Sequence, residues 1–185
     1  AWPQCGAGPD GYQLARQFGL AVIEPEPALV PLRYGKADLG LMGELTGNSI
    51  HAVASCRGYS FCEELLFTHT GLSGPAILQV SNLWRKGDSI GINFLPEMSL
   101  REEIELARKS NGSTTISRLL LGKLPQKFIR IWQQRYWPEI AVANLTTEQI
   151  ESCVCSLTNW QFCPAGSEGF SRAEATRGGV SCDEL

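Results

Sequence analysis

The sequence predicts an α+β fold: a small antiparallel β-barrel with an inserted α-helical subdomain. Three observations carry this. Short alternating segments with glycine turns crowd residues 40–96. Residues 98–158 instead show two S/T-x-x-E/Q signatures and apolar residues at helical spacing. After Asn159 the strand-like pattern returns, so residues 21–97 and 159–185 are expected to form the barrel and 98–158 the helical insert.

In chain order, Asp10–Gly19 reads as a short helix, with Asp10 as its cap, Leu14, Ala15 and Phe18 on one face and Gly19 as its stop. Ala21–Leu32 carries prolines at 25, 27 and 31, which leaves an extended edge segment. Ser49–Ser55 alternates, placing Ile50, Ala52 and Ala54 on one side and His51 and Val53 on the other. Gly58 is a turn, Phe61–Thr68 a second strand, and Asp88–Leu95 a third, grouping Ile90, Ile92 and Phe94.

"FTHTGLSGP" (67–75) reads as a strand-to-helix turn, with Pro75 in the first turn of the helix and Ser73 able to cap it. Ser99–Glu102 and Thr146–Gln149 read as capping boxes. Between them fall a helix over Thr115–Leu121, ended by Gly122, and another opened by Pro125 with Phe128, Ile129, Trp132 and Tyr136 on one face. The four helices are expected to cover each other's apolar stripes. Trp160–Pro164, Arg172–Thr176 and Val180 onward read as strands, with Thr176–Val180 a hairpin turn.

The chain has 185 residues and a net charge of −3, and its basic residues look scattered: Arg33, Lys36, Arg57, Arg85 and Lys86 form no stripe, so no nucleic-acid partner is expected. No apolar run reaches membrane-span length, and no signal segment opens the chain. The seven cysteines contain no C-x-x-C pair, so no metal site is expected; reduced, mostly buried thiols of a cytoplasmic protein are. The chain opens without methionine at Ala1 and reads as a piece of a longer protein.

The hydroxyls of Thr68, Thr70 and Ser73 at a helix entry suggest an anion or carbonyl site, or simply local backbone satisfaction. His69 is a possible general base without an acidic partner at a telling spacing, and His51 sits on a strand face. No residue is assigned a catalytic role. P-loop and nucleophile-elbow motifs are absent, and Gly6-Ala-Gly8 has no preceding strand.

Taken together, "DGYQLARQFG", "EPEPALVPL", "ELLFTHTGLSGPAILQVS" and "ATRGGV" resemble, in order and spacing, the middle of a family of bacterial FAD-dependent oxidoreductases that includes aminoacetone oxidases and dehydro-bile-acid reductases. The resemblance implies a Rossmann-type FAD domain split by a barrel and helical insert, with 1–20 a remnant of the FAD domain. It implies that Asp10, Gly11, Thr176, Gly178 and Gly179 approach the FAD, and that Thr70, Gly71, Ser73 and Gly74 border the cleft for a small-molecule substrate. "GAGPDGY" departs from the family's pattern at Gly8 and Pro9, and Pro9 has no amide to offer a cofactor. Hydride transfer through the flavin is implied for the whole protein. The insert would act as a lid against the rest of the same polypeptide and would neither hold FAD tightly nor turn over alone. A barrel-type binding module that docks a protein partner is the alternative.

Overall fold

The structure is a computed structural model that describes residues 3–36, 38–110 and 112–184. The expectations at Ala1, Trp2 and Leu185 lie outside the described residues. The elements are α1 (Asp10–Gln17), β1 (Val22–Ala28), β2 (Leu32–Arg33), α2 (Leu39–Gly43), β3 (Ser49–Cys56), β4 (Tyr59–Phe67), β5 (Gly71–Ser73), α3 (Pro75–Ser81) and β6 (Ile90–Asn93). Then follow α4 (Leu100–Ser110), α5 (Ile116–Leu120), α6 (Gln126–Tyr136), α7 (Thr147–Thr158), β7 (Trp160–Phe162), β8 (Gly166–Ser167) and β9 (Ala175–Val180).

Seven strands form one antiparallel sheet in the order β7-β6-β3-β4-β5-β2-β8, and β1 pairs with β9 in a separate ribbon. The mixed α+β class is therefore as the sequence predicts. The sheet's edge strands, β7 and β8, are joined by residues 163–165 alone. A three-residue link reaches only about 14 Å, so the sheet must curl until its first and last strands are near neighbours. No ladder between those two strands closes the roll among the described residues.

Alternation sets the inward face. Ile50, Ala52 and Ala54 of β3 and Ile90 and Ile92 of β6 are buried, whereas His51 is exposed. Arg57 and Gly58 both take positive φ (51° and 82°) in the two-residue turn from β3 to β4, the geometry that matches strand twist. Gly71 lies where a Cβ would sit 1.9 Å from the Leu32 carbonyl oxygen. Only glycine lets β5 approach β2 so closely.

The helices do not simply cover one another. Phe128 and Trp132 of α6 stack at 4.5 Å between ring centres, and Phe94, beyond β6, meets them at 4.9 and 5.3 Å. Phe67 of β4 and Trp160 of β7 join the same cluster. Trp132 donates its indole N–H to the Ser156 carbonyl at 3.1 Å, tying α6 to α7. Sheet and helices thus share one continuous core.

Several local expectations are corrected. Pro9, not Asp10, occupies the N-cap of α1. Leu14 and Phe18 are 54% and 78% exposed, leaving Ala15 as the buried residue of that face. Gly19 does end α1, in a Schellman turn in which Leu20 N–H donates to Ala15 and Gly19 N–H to Arg16. Gly74, not Ser73, caps α3, with Pro75 at the first turn as expected. Residues 39–43 form a helix inside the segment read as strands. Ser99 accepts only a long bond (3.5 Å) from Glu102 N–H, while Thr146 and Gln149 complete a reciprocal capping box.

Thr176–Val180 is the body of β9 rather than a hairpin turn, and Arg172 precedes that strand. A short 3-10 turn, Cys182–Glu184, replaces the strand expected after Val180. Of the seven cysteines, all unpaired, only Cys56 and Cys153 are buried, so the expectation of mostly buried thiols fails. Cys62 and Cys155 take exposed positions on β4 and α7, Cys163 lies in the link after β7, and Cys5 and Cys182 lie in short 3-10 turns. No helix among the described residues is long and apolar enough to cross a membrane.

Gly71→Ala is expected to destabilise the full-length protein by about 2–3 kcal/mol through backbone displacement. Gly40→Ala, in α2 with open space around it, should be neutral or stabilising by up to about 1 kcal/mol. Urea unfolding of both variants measures the contrast. A second expectation concerns pH. Burial pushes the Cys153 thiol up from 9.0 to about 12, and burial also raises the Tyr34 phenol. The neutral thiol of Cys153 therefore stabilises the fold fully below pH 9, and that contribution is lost as pH rises from 9 toward 12. Stability measured across this range should fall more steeply in the wild type than in Cys153→Ala.

Candidate functional site

The β1–β9 ribbon is built around a break in register. Ile23 pairs with Gly179 and Glu26 with Arg177, so two residues of β1, Glu24 and Pro25, face the single Gly178. Gly178 has φ +84°, and a Cβ there would lie 2.6 Å from the Glu24 carbonyl oxygen. Gly179, at φ +114°, lies against Tyr12, whose ring carbon would be 3.4 Å from an added Cβ. The two glycines therefore serve a bulge and a close approach to α1.

This arrangement brings the two segments expected near the flavin to one place. A cleft of about 420 Å³ lies between α1 and the ribbon, lined by Gly8, Pro9, Tyr12, Pro25, Phe170 and Thr176 among others. Arg16 also lines it and is 3.7 Å from the Glu24 carboxylate. Asp10 and Gly11, in the first turn of α1, are exposed, and neither is in the lining; Gly178 and Gly179 shape its ribbon wall from behind. The lining is more apolar than polar, and its cation, Arg16, faces an acid, Glu24. Tyr12, Phe170 and the prolines supply apolar surface, and α1 opens at the edge of the cleft, where its first backbone N–H groups have no side-chain cap.

The residues expected to border a substrate lie elsewhere. Thr70 lines a separate polar cleft with Arg33, His69, Glu168 and Arg172. The Thr70 hydroxyl donates to the Glu168 carboxylate, and Arg172 approaches the same carboxylate at 3.3 Å. Ser73 lines a third hollow with Pro31, Leu78 and residues 171–174. Gly71 is buried against β2. Gly74, at φ +88°, lets the Glu64 carbonyl come within 2.6 Å of an added Cβ. Both glycines thus serve packing, while Thr70 and Ser73 face clefts.

Sequence reading passed over the loop that joins these places. Residues 168–174 contribute Phe170 to the apolar cleft, Glu168 and Arg172 to the polar one and Ser171 to the third. The string Ser-Glu-Gly-Phe-Ser-Arg between two strands was its only signal. Arg177 was also missed. Its guanidinium donates to the carbonyls of Ser81, Asn82 and Trp84 at 3.2, 2.9 and 3.1 Å and to Glu26 at 2.6 Å. Ser81 and Asn82 in turn accept from the backbone N–H groups of Val30 and Leu29. The end of α3 thereby fixes the ribbon to the sheet.

One further cluster lies on the outer face of the β3–β4 hairpin. Cys62 Sγ is 3.4 Å from His51 Nε2, and His51 Nδ1 is 3.6 Å from Glu64. The histidine and glutamate side chains are about half exposed, on an open sheet face.

Residues 26–175 match the family described as "HI0933-like protein barrel and H2TH domain". The chain is 39% identical over 180 residues to a Haemophilus influenzae protein named ribosomal RNA dihydrouridine synthase, covering 96% of this chain and 45% of that protein. It is 36% identical over 185 residues to the Escherichia coli protein of the same name, covering 99% and 46%. A Clostridium scindens 3-dehydro-bile acid delta(4,6)-reductase is 25% identical over 195 residues, covering 97% and 47%. The chain spans about half the length of the curated relatives it matches.

Arg177→Ala should loosen the ribbon, because three main-chain carbonyls and one carboxylate lose a charged donor, at a cost of about 2–3 kcal/mol. Amide hydrogen exchange should accelerate across β1 and β9 and leave β3 and β4 protected. Uniform acceleration would show that Arg177 is not the local tie described here.

Proposed function

Because this chain belongs to the HI0933-like barrel and H2TH family, we propose that it is the insert of a flavin-dependent reductase acting on uridine in ribosomal RNA. The observation that carries the reading is the identity of 39% and 36%, along almost the whole chain, to two proteins named ribosomal RNA dihydrouridine synthase. The apolar cleft between α1 and the ribbon supports a flavin site completed by the rest of the polypeptide. An RNA substrate departs from the small-molecule, no-nucleic-acid expectation, which rested on the net charge and the apparent scatter of basic residues.

FAD, when bound and reduced by a nicotinamide donor, would supply the hydride for reducing the uracil C5–C6 double bond, a reaction that also takes up one proton and leaves the flavin oxidised. The chain's own residues position and shield. Tyr12, Phe170 and the prolines present an apolar wall suited to a flat ring and exclude water from it. Arg33 gives the polar cleft a cation for a phosphate or the uracil carbonyls, while Arg172 is paired with Glu168. The tie of Glu168 to Thr70 and Arg172 keeps that cleft in shape. By itself the insert is expected to bind no FAD at micromolar affinity or tighter.

A second reading, reduction of a small apolar substrate, is favoured by the bile-acid reductase likeness and by the same apolar walls. One experiment separates the two. The full-length protein should carry visible flavin absorption. With reduced nicotinamide cofactor and unmodified ribosomal RNA it should yield a nucleoside heavier by two hydrogens, detected by mass spectrometry. Phe170→Ala should lower kcat/KM roughly tenfold, the loss of about 1.4 kcal/mol of ring contact, without changing the melting temperature appreciably. A colourless protein would sink the flavin reading. A coloured protein that leaves RNA unchanged would sink the RNA reading alone.

A further inference from the structure

Charge is distributed along this chain very unevenly. Between Leu106 and Pro138 stand seven lysines and arginines and no aspartate or glutamate. The rest of the chain holds nine basic residues and all nineteen acidic ones. A net charge of −3 hides a strongly positive segment set into a negative body.

The fold gathers much of that charge on one face. A groove of about 470 Å³ runs between α5 and α6, lined by Arg118, Gln126, Arg130 and Gln133, with Ser117 and Glu139 also in its wall. Gln126, Arg130 and Gln133 recur at i, i+4 and i+7 along one side of α6. Lys123, in the turn between the helices, and Lys127, in the first turn of α6, are exposed beside it. Arg118, Lys123, Lys127 and Arg130 make no ion pair among the described residues. Glu139, the groove's acid, accepts from the Ser117 hydroxyl. Arg108, by contrast, is occupied with the carbonyls of Val142 and Leu145. The opposite side of α6 is locked into the aromatic core through Phe128 and Trp132, so its charged side is presented on a rigid support.

We propose that the α5–α6 face, through Arg118, Lys123, Lys127 and Arg130, docks the phosphate backbone of the RNA substrate. This rests on the RNA reading above and adds the place where the RNA is held. Unpaired cations release counterions on meeting phosphates. The amide and hydroxyl groups between them match the mix of side chains that hold phosphate and sugar oxygens, including the ribose 2′-hydroxyl. The acidic remainder of the chain repels the same polyanion and so steers it toward this face.

The test uses the full-length protein and a fluorescein-labelled, uridine-containing ribosomal RNA stem-loop, with anisotropy read over a series of KCl concentrations. The variant Arg118→Gln/Lys123→Gln/Lys127→Gln/Arg130→Gln should bind roughly 100-fold more weakly at moderate salt. Its log–log salt slope should be shallower by about 3, since each lost phosphate contact removes about 0.7–0.9. Lys36→Gln/Lys86→Gln, which neutralises two exposed lysines on the sheet side, should change affinity less than about threefold. A circular dichroism melt of each variant confirms folding; if the quadruple variant melts early, Lys123→Gln/Lys127→Gln alone should still show a proportionate drop in slope. RNA binding by the wild type with equal affinity and slope in the folded variants would overturn the docking face and leave the RNA reading intact. No RNA binding by the wild type would overturn both. Binding of polyglutamate as tight as that of RNA would assign the face to an acidic protein segment and overturn the proposal.

Discussion

The packing of α6 into the sheet is the contact on which the rest of the structure depends. Phe67, Phe94, Phe128, Trp132 and Trp160 come from two strands, a strand end and one helix, and each touches at least two others. Fully burying each such side chain is worth about 1.5–3 kcal/mol, roughly 8–15 kcal/mol for the five, before the entropy cost of ordering them. That is comparable to the whole stability of a typical domain. The strand and helical segments are accordingly halves of one core. What one face of α6 buries fixes the direction in which its charged face points.

A second constraint is the tie at the end of α3. Arg177 reaches three carbonyls there, and Leu29 and Val30 donate to Asn82 and Ser81 at the same place. Among the described residues no ladder joins the ribbon to the main sheet, so its position rests heavily on these bonds and on the loop 168–174. That loop reaches all three hollows of this region. A change of its path would alter the apolar cleft and the polar cleft together.

Electrostatics adds a division of labour. The strand segments carry most of the acids, and the α5–α6 segment carries unpaired cations. Net charge averages the two and conceals both. In water at physiological salt the field of each region reaches only about 8 Å, so a polyanion senses the nearest patch and not the sum.

The sequence by itself determined the element types and most of their order. Alternation at Ile50, Ala52 and Ala54, the Thr146–Gln149 capping box and the run Ile150, Cys153 and Leu157 act through near neighbours, and those rules are local. It also carried the family likeness, because the order of short motifs needs no coordinates. Only the tertiary structure decided that Thr176–Val180 is a bulged strand. Its glycines are consistent with a turn until β1 lies across from them and the Glu24 carbonyl fills the space of the missing side chain. Only the tertiary structure joined Tyr12 to Thr176, Thr70 to Glu168 and Arg118 to Arg130. The first two pairs are far apart along the chain, and all three meet through packing that no window of sequence contains. Long-range contacts of this kind are chosen by the shape of the shared core.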